Sequence, residues 1–352
     1  MKHQTLLTEL LTTLMHEDGS DLHLGGGRKP AIRVSGELIF LANQNIITPE
    51  DMIGILGIIV GEKKALKFME EKEIDFSYTF NTDTHIRGNA FFQRGIMSIA
   101  LRLIPKAKSF DELNLPPILA SFSQRKQGFF LVVGPVGQGK STTLSTMINL
   151  INKERAAHIV TIEDPIEFVY EPDQSIIDQR EIGLDTKDFP TALNAVFRED
   201  VNVIFIGEMR NPETIAAAVT AAETGHLVFS TLHTNNAAQT IDRIIDSFPS
   251  NQQDQIRLQL AASLIAVFSQ RLIPRVAGGR VPAYELLINN NAVSNLIREK
   301  RTHEIENIIE TSSEHGMVDM NRSLVELIQK GEITLESAYQ YSINPKGLER
   351  ML

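Results

Sequence analysis

Apolar positions change their period part-way along the chain. In the first hundred residues "LLTELLTTLMH" repeats its leucines at three and four and predicts a helix over 6–16, and "PEDMIGILGIIVGEKKALKFMEE" predicts another over 49–71. A strand is predicted near "AIRVSG", and three more at "DFSYTF", "HIRGNAFFQRG" and "MSIALRLIP", where alternation of period two fits strands packed on one face. The run 104–117, "IPKAKSFDELNLPP", breaks the pattern with prolines and charges and reads as a linker between a mixed α/β domain, 1–103, and a second domain, 118–352.

In the second domain strands alternate with helices. Strands are predicted over 128–134, 158–163, 202–207 and 226–233, with helices over 141–152, 188–198, 211–223 and 237–248. This order implies an α/β fold with a mainly parallel sheet covered on both faces, whose ligands gather at the C-terminal ends of the strands. A helical tail follows through "QDQIRLQLAASLIAVFSQRLIP", then a hairpin through "RVPAYELLI" and three shorter helices. Apolar spacing of three and four gives that tail a core-packing role.

Composition narrows the class. With 352 residues, 42% hydrophobic and 22% charged, the chain has the make-up of a globular protein of two domains. The apolar run "MIGILGIIV" falls well short of the roughly 20 residues that span a bilayer. The first residues mix acids into a helical pattern and lack the features of a signal peptide, so a cytoplasmic protein is expected. Having no cysteine excludes disulfides, thiolate zinc sites and a cysteine nucleophile, and the nine histidines show no metal-ligand spacing. A net charge of −10, from 44 acidic and 34 basic residues, argues against nucleic acid as a partner. The basic run "REKRTHE" is interleaved with acids and reads as a solvated helix end.

The sharpest chemical signal is "GPVGQGKST", made of Gly134, Pro135, Val136, Gly137, Gln138, Gly139, Lys140, Ser141 and Thr142, between a predicted strand and a predicted helix. The spacing Gly134-x-x-x-x-Gly139-Lys140-Ser141 is the P-loop pattern. Its glycines let backbone N–H groups surround phosphates, the lysine reaches the β- and γ-phosphates, and the serine hydroxyl binds Mg²⁺. The loop is therefore expected to hold a nucleoside triphosphate.

Hydrolysis needs more: an acid on the metal side, a group that orients water, and positive charge for the transition state. "VIFIGEMR" ends in Glu208, which reads either as that acid or as a helix cap. "HIVTIEDPIEF" ends in Glu163, Asp164 and Glu167, a cluster that fits a cation opposite it or a proline turn with solvated acids. "GHLVFSTLHTNN" offers His226 and His233, read as bracketing one strand at the phosphate end, either as working groups or as satisfied polar ones.

Taken in order, "GPVGQGKST", "TIEDPIEF", "VIFIGEMR", "ETGHLVFSTLHTNNA" and "QRLIPR", with "SDLHL" near the start, resemble the PilT-like motor ATPases of type IV pili, within the secretion ATPase superfamily. The resemblance covers nearly the whole chain. It implies a homohexameric ring of protomers, each with a PAS-like α+β N-terminal domain and a RecA-like ATPase domain with a helical C-terminal region, and ATP with Mg²⁺ between protomers. It makes Glu167 the preferred general base or water-orienting group, with Glu163 the alternative, and Glu208 the Walker B acid acting through Mg²⁺. It gives His226 and His233 the sensing of the γ-phosphate, and it explains Arg87, Arg94 and Arg102 as a set reaching the neighbouring protomer's nucleotide, with the finger itself left open. Without the resemblance those arginines read as solvated strand faces. An arginine supplied across an interface is worth roughly 10³ to 10⁵ in rate, so assembly is expected to gate hydrolysis.

Pilus extension and type II secretion ATPases usually carry a further N-terminal domain and a four-cysteine metal site. The length of this chain and its lack of cysteine favour the retraction branch. The expectation is thus a motor for pilus retraction, peripheral on the cytoplasmic face of the inner membrane, with a platform protein as its partner. The loop departs from the family in Val136 and Gln138, where threonine and serine are usual, but neither position supplies the phosphate lysine or the Mg²⁺ hydroxyl. "NAVSNLIREK" departs from the family's "AIRNLIRE" element at Ser294, in place of arginine, and leaves open a PilU-like accessory role beside a second retraction ATPase. A small-molecule kinase or GTPase leaves the N-terminal arginines unexplained and lacks an NKxD motif.

Overall fold

The computed structural model describes residues 2–34, 36–81 and 84–352, so that Ser35 of the strand predicted near "AIRVSG" lies outside the described residues. The chain forms two compact units, one ending at Lys106 and the other running from Ala107 to Leu352.

The first unit contains helix α1 (Lys2–His16), strands β1 (Gly19–Gly25), β2 (Ala31–Val34) and β3 (Glu37–Phe40), helices α2 (Pro49–Val60) and α3 (Glu62–Glu71), and strands β4 (Glu73–Asn81), β5 (Thr84–Gln93) and β6 (Ile96–Leu103). Its six strands form one antiparallel sheet in the order β3-β2-β1-β6-β5-β4. Leu7, Leu10, Leu11 and Leu14 of α1 share a core with Met52, Ile55, Leu56 and Ile59 of α2 and with Leu22, Ile86, Ile99 and Leu101 of the sheet. The helix predicted over 49–71 is two helices. Thr48 and Asp51 form a reciprocal capping box at its start, but Gly61 at φ 79° cannot continue an α-helix and divides it. The pattern does not predict β1, whose seven residues are buried at most positions on both faces, or β3, which is exposed at every position and has no buried face to impose alternation.

The second unit opens with helix α4 (Ile118–Ser123), strand β7 (Gly128–Val133), helix α5 (Lys140–Glu154), strands β8 (His158–Glu163) and β9 (Ile176–Glu181), and helix α6 (Phe189–Val196). Strand β10 (Val203–Ile206), helix α7 (Pro212–Glu223), strand β11 (Leu227–Leu232), and helices α8 (Ala237–Asp246) and α9 (Ser250–Ser263) follow. The unit closes with the hairpin of β12 (Leu264–Pro274) and β13 (Arg280–Ile288) and with helices α10 (Asn291–Arg298), α11 (Ile305–Thr311), α12 (Met320–Gln329), α13 (Leu335–Tyr341) and α14 (Pro345–Met351). The sheet order is β13-β12-β7-β11-β10-β8-β9, parallel except for the edge strand β13.

Residues of β7, β10 and β11 are buried at every position, as strands covered on both faces must be. Phe129, Leu131 and Val133 face a core shared with α6 to α10, while Phe130 and Val132 face one shared with α4 and α5. Phe110, Leu113 and Leu115, from the stretch predicted as linker, pack with that second core.

The predicted helical tail is corrected here. Helix α9 stops at Ser263, and 264–274 is strand β12, inserted beside β7. An apolar run buried on both sides has no helical signature of its own, and "LIAVFSQRLIP" is rich in the β-branched and aromatic residues that fit a sheet. Among the described residues no helix is long and apolar enough to cross a membrane.

Candidate nucleotide site

Strand β7 ends at Val133 and helix α5 begins at Lys140, so the loop between them sits at the C-terminal edge of the sheet. A Cβ on Gly134, at φ 149°, would lie 2.5 Å from the carbonyl oxygen of Gln270, so only glycine lets the chain leave the strand there. Helix α5 starts without a side-chain cap, and its first residues, Lys140, Ser141 and Thr142, line a cavity of about 510 Å³. Free N–H groups and the positive end of the helix dipole favour an anion at this place.

The loop is fastened from both sides. The Gln270 side chain donates to the carbonyl of Gln138 at 2.7 Å and accepts from the Thr143 hydroxyl at 2.7 Å, while Gln138 accepts from the Leu272 N–H at 2.6 Å. Lys140, only 7% exposed, donates to the carbonyls of Gly134 and Pro135, each at 2.9 Å, and lies 3.1 Å from Nδ1 of His233. Burial draws its pKa down to about 8, against the upward pull of Glu167 and Glu208 and with a further push down from Arg271.

Acidic groups line the facing wall. Glu163, at the end of β8, is 4% exposed, and burial raises its pKa to about 7 in spite of hydrogen bonds from Thr161 at 2.7 Å and from Gln179 and the Glu167 N–H at 3.4 Å each. Glu167 and Asp164 lie in the loop that follows, which includes a cis Asp164-Pro165 peptide, and both line the cavity. Glu208, just past β10, is paired with Arg210 and has one carboxylate oxygen 3.6 Å from Nε2 of His233. Arg210 also reaches to 3.8 Å from Asp164. Adjacent strand ends thus bring Glu163, Glu167, Glu208 and His233 around the loop of Lys140, as β7, β11, β10 and β8 run in that order.

Not every predicted residue joins them. His226 precedes β11 whereas His233 follows it; the carbonyl of His226 accepts from Gly128 at the opening of β7, so the two histidines stand at opposite ends of a six-residue strand, about 20 Å apart. The ring of His226 lies 3.0 Å from the Ala221 carbonyl and edge-on to Phe197, the surroundings of a satisfied polar group. Its assignment to the phosphate end of the strand is corrected accordingly.

Arg87, Arg94 and Arg102 belong to the first unit. Arg87 and Arg102 are cross-strand partners on β5 and β6, and Arg102 donates at 2.7 Å to Asp21, its partner on β1. Burial alone would raise the pKa of Asp21, but hydrogen bonds from Ser20 and Arg102 outweigh it and the net shift is downward. Arg94 is in the two-residue turn between β5 and β6, at φ 52° and followed by Gly95 at φ 78°, the pattern of a type I′ hairpin turn.

Three contributors were not picked out from the sequence. Arg210 stands two residues beyond Glu208 in the motif already quoted, and its charge beside an acid was the available signal. Arg280, which lines the cavity and reaches 3.5 Å from the Gly137 carbonyl, and Gln270 come from a hairpin more than 120 residues downstream, which no local spacing connects to the loop.

A glycine loop closed on a buried lysine, between a parallel strand and a helix and faced by carboxylates from neighbouring strand ends, defines a P-loop nucleotide-binding protein. Within that class the chain belongs to the type II/IV secretion system protein family, which matches residues 70–340. Over 342 residues it is 41% identical to the type IV pilus retraction ATPase PilT of Pseudomonas aeruginosa, covering 97% of this chain and 99% of that one. It is 36% identical over 346 residues to the type IV pilus ATPase PilU of the same species, covering 98% and 90%. A crystal structure of the pilus retraction motor PilT with bound ADP superposes with a TM-score of 0.91 at 46% identity, covering 98% of this chain and 99% of that one.

Proposed function

We propose that the protein is a homohexameric ATPase that uses ATP hydrolysis to retract type IV pili, at the cytoplasmic face of the inner membrane and against a platform protein. The observation that carries this reading is the convergence of Lys140, Glu163, Glu167, Glu208 and His233 on one cavity at the C-terminal edge of the sheet. Likeness along nearly the full chain to a pilus retraction ATPase supplies the process.

In this reading Lys140 and the first N–H groups of α5 bind the β- and γ-phosphates. Ser141 and Glu208 would hold Mg²⁺ partly through water. That donor set fits the ion: Ser141 and Glu208 line the same cavity and offer a hydroxyl and a carboxylate oxygen, and Mg²⁺ commonly keeps its waters and takes substrate phosphates as its remaining ligands. When bound, Mg²⁺ neutralises charge on the phosphate oxygens. Glu167 orients the attacking water and accepts its proton. Glu163 is the poorer base, since its oxygens already accept from Thr161, Gln179 and the Glu167 backbone. His233 faces the terminal phosphate between Lys140 and Glu208. Arg87, Arg94 and Arg102 of a neighbouring copy supply the positive charge that completes the site, so a ring hydrolyses and a monomer does not.

A second reading, an accessory ATPase that assists another retraction motor, is favoured by Ser294. Its hydroxyl donates to the Ala261 carbonyl and lies 3.0 Å from Asn289 Oδ1, so α10 presents no cation at that position.

Complementation separates the two. In piliated cells lacking all retraction ATPases, the gene alone is expected to restore twitching. Restoration only when a second retraction ATPase is present would establish the accessory role, and no restoration in either background would contradict both.

A further inference from the structure

The run Gln270-Arg271-Leu272 on β12 touches two of the loops that face the cavity. Gln270 brackets the phosphate loop through Gln138 and Thr143. Its neighbours reach the loop after β11, which carries His233: the Ser269 hydroxyl donates to the Asn235 carbonyl at 2.9 Å, and Nη2 of Arg271 donates to the Asn235 carbonyl at 3.2 Å and to its side-chain oxygen at 3.1 Å. Nη1 of Arg271 donates to the Gln270 carbonyl at 3.3 Å and lies 3.4 Å from where a Cβ of Gly134 would be, so the guanidinium lies against the first glycine of the phosphate loop. On the adjacent strand, Glu285 accepts from the Ala237 N–H at 2.8 Å and so anchors the far end of the His233 loop. Arg271 is buried yet absent from the cavity wall, and burying a guanidinium costs free energy unless it is well bonded. Its partners show what that outlay secures.

We propose that Gln270 and Arg271 are paired positioning residues of this site, Gln270 holding the phosphate loop for nucleotide binding and Arg271 the His233 loop for hydrolysis, so that β12 sets the gap between Lys140 and His233. The inference rests on the reading of the cavity as a hydrolytic nucleotide site. Neither side chain meets the reacting atoms. A small shift of a positioned group is enough to slow chemistry without changing how ground-state nucleotide binds.

The test compares ATP turnover and ADP affinity, by calorimetry, in the assembled wild type and in Arg271→Gln, Arg271→Lys, Gln270→Ala and Asn235→Ala. For Arg271→Gln, kcat is expected to fall on the order of tenfold to a hundredfold, with the Kd for ADP held within about threefold. Arg271→Lys recovers part of the loss. Gln270→Ala shows the opposite split, with the Kd for ADP and the KM weakened about tenfold and kcat changed less. Asn235→Ala alters an exposed residue and folds even if the Arg271 variants do not; it reproduces part of the Arg271→Gln loss and adds little to it in the double variant.

The split between kcat and ADP affinity, with partial recovery in Arg271→Lys, is the readout that a purely structural role would not give. Wild-type kcat in Arg271→Gln and Asn235→Ala would overturn the proposal. So would losses of kcat that multiply as independent effects, or a loss of affinity and turnover together that lysine does not relieve. A wild type that assembles and binds ADP without hydrolysing ATP removes the hydrolytic reading, and the proposal with it. With an active wild type, failure of the variants counts against this proposal alone.

Discussion

Nζ of Lys140 lies 3.1 Å from Nδ1 of His233, and the far ring nitrogen, Nε2, lies 3.6 Å from Glu208. An ammonium can only donate, so Nδ1 accepts and the ring hydrogen falls on Nε2, toward the carboxylate. The first residue of α5 and two groups just past the ends of β11 and β10 thereby form one polar chain across the cavity. Cutting its middle link should damage chemistry more than binding. For His233→Ala we expect turnover to drop on the order of a hundredfold with ADP affinity nearly unchanged, measured by steady-state kinetics and calorimetry. Lys140→Ala, which removes the phosphate-binding charge, is expected to lose both.

Nucleotide binding should take up protons near pH 8. Burial holds Lys140 at about 8 in the free protein, and an anionic phosphate beside it favours the charged form and raises that value. At pH 8 part of the lysine population gains a proton on binding; at pH 6 the lysine is already charged and gains none. Calorimetric titration with ADP in buffers of different ionisation enthalpy should show the uptake at pH 8, in wild type and in Glu163→Gln, and lose the contribution at pH 6. Equal heats in all buffers at pH 8 would rule out a depressed Lys140.

Glu163 should make stability fall as pH rises. Its pKa goes from an ordinary 4.5 to about 7 through burial, so between those values the folded state binds more protons than the unfolded one. The unfolding free energy then declines across that window and levels off above about pH 7. Glu285, also raised to about 7 chiefly by burial, acts in the same direction. Glu163→Gln is expected to remove part of the decline, a few kcal/mol at most, in denaturant midpoints compared at pH 5 and 7.5. An unchanged slope would mean that Glu163 is not buried as described.

Gln138 contributes a clamp to the phosphate loop. Gln138→Ser withdraws the acceptor of the Leu272 N–H, a loss of about 1 kcal/mol. Thermal unfolding of this unit should shift down by roughly 2–4 °C with turnover retained. No shift would show that the hydrogen bond adds nothing to stability.

The arginines of the first unit should separate by what holds them. Arg102→Ala removes the ion pair to the buried Asp21, for which about 1 kcal/mol is an upper figure because the arginine is exposed to solvent. Arg87→Ala and Arg94→Ala are expected to leave the melting temperature in place, and the one that reaches the neighbouring nucleotide should cost roughly 10³ or more in turnover. If all three variants hydrolyse ATP normally, the arginines are not shared between subunits.

The phosphate loop was legible in the sequence because its chemistry dictates its residues: Gly134 stands where no Cβ fits, and Lys140 and Ser141 follow the last glycine. Acids at strand ends were legible for the same reason, since a parallel sheet delivers them to one edge. His226 was misplaced because a motif read as a string hides the direction of its strand, and six residues separate its two ends. Gln270 and Arg280 were invisible because they reach the loop through long-range pairing, of β12 with β7 and of β13 with β12. The strand 264–274 passed for helix because burial on both faces erases the alternation that marks a strand.

The most direct test follows ATP hydrolysis against protein concentration while light scattering records assembly, with wild type beside Glu167→Gln. Specific activity that rises as rings form, and disappears in a Glu167→Gln protein that still assembles, is the expected result. Full activity in the monomer, undiminished activity in Glu167→Gln, or a fully assembled wild type without turnover would contradict an ATPase completed between subunits.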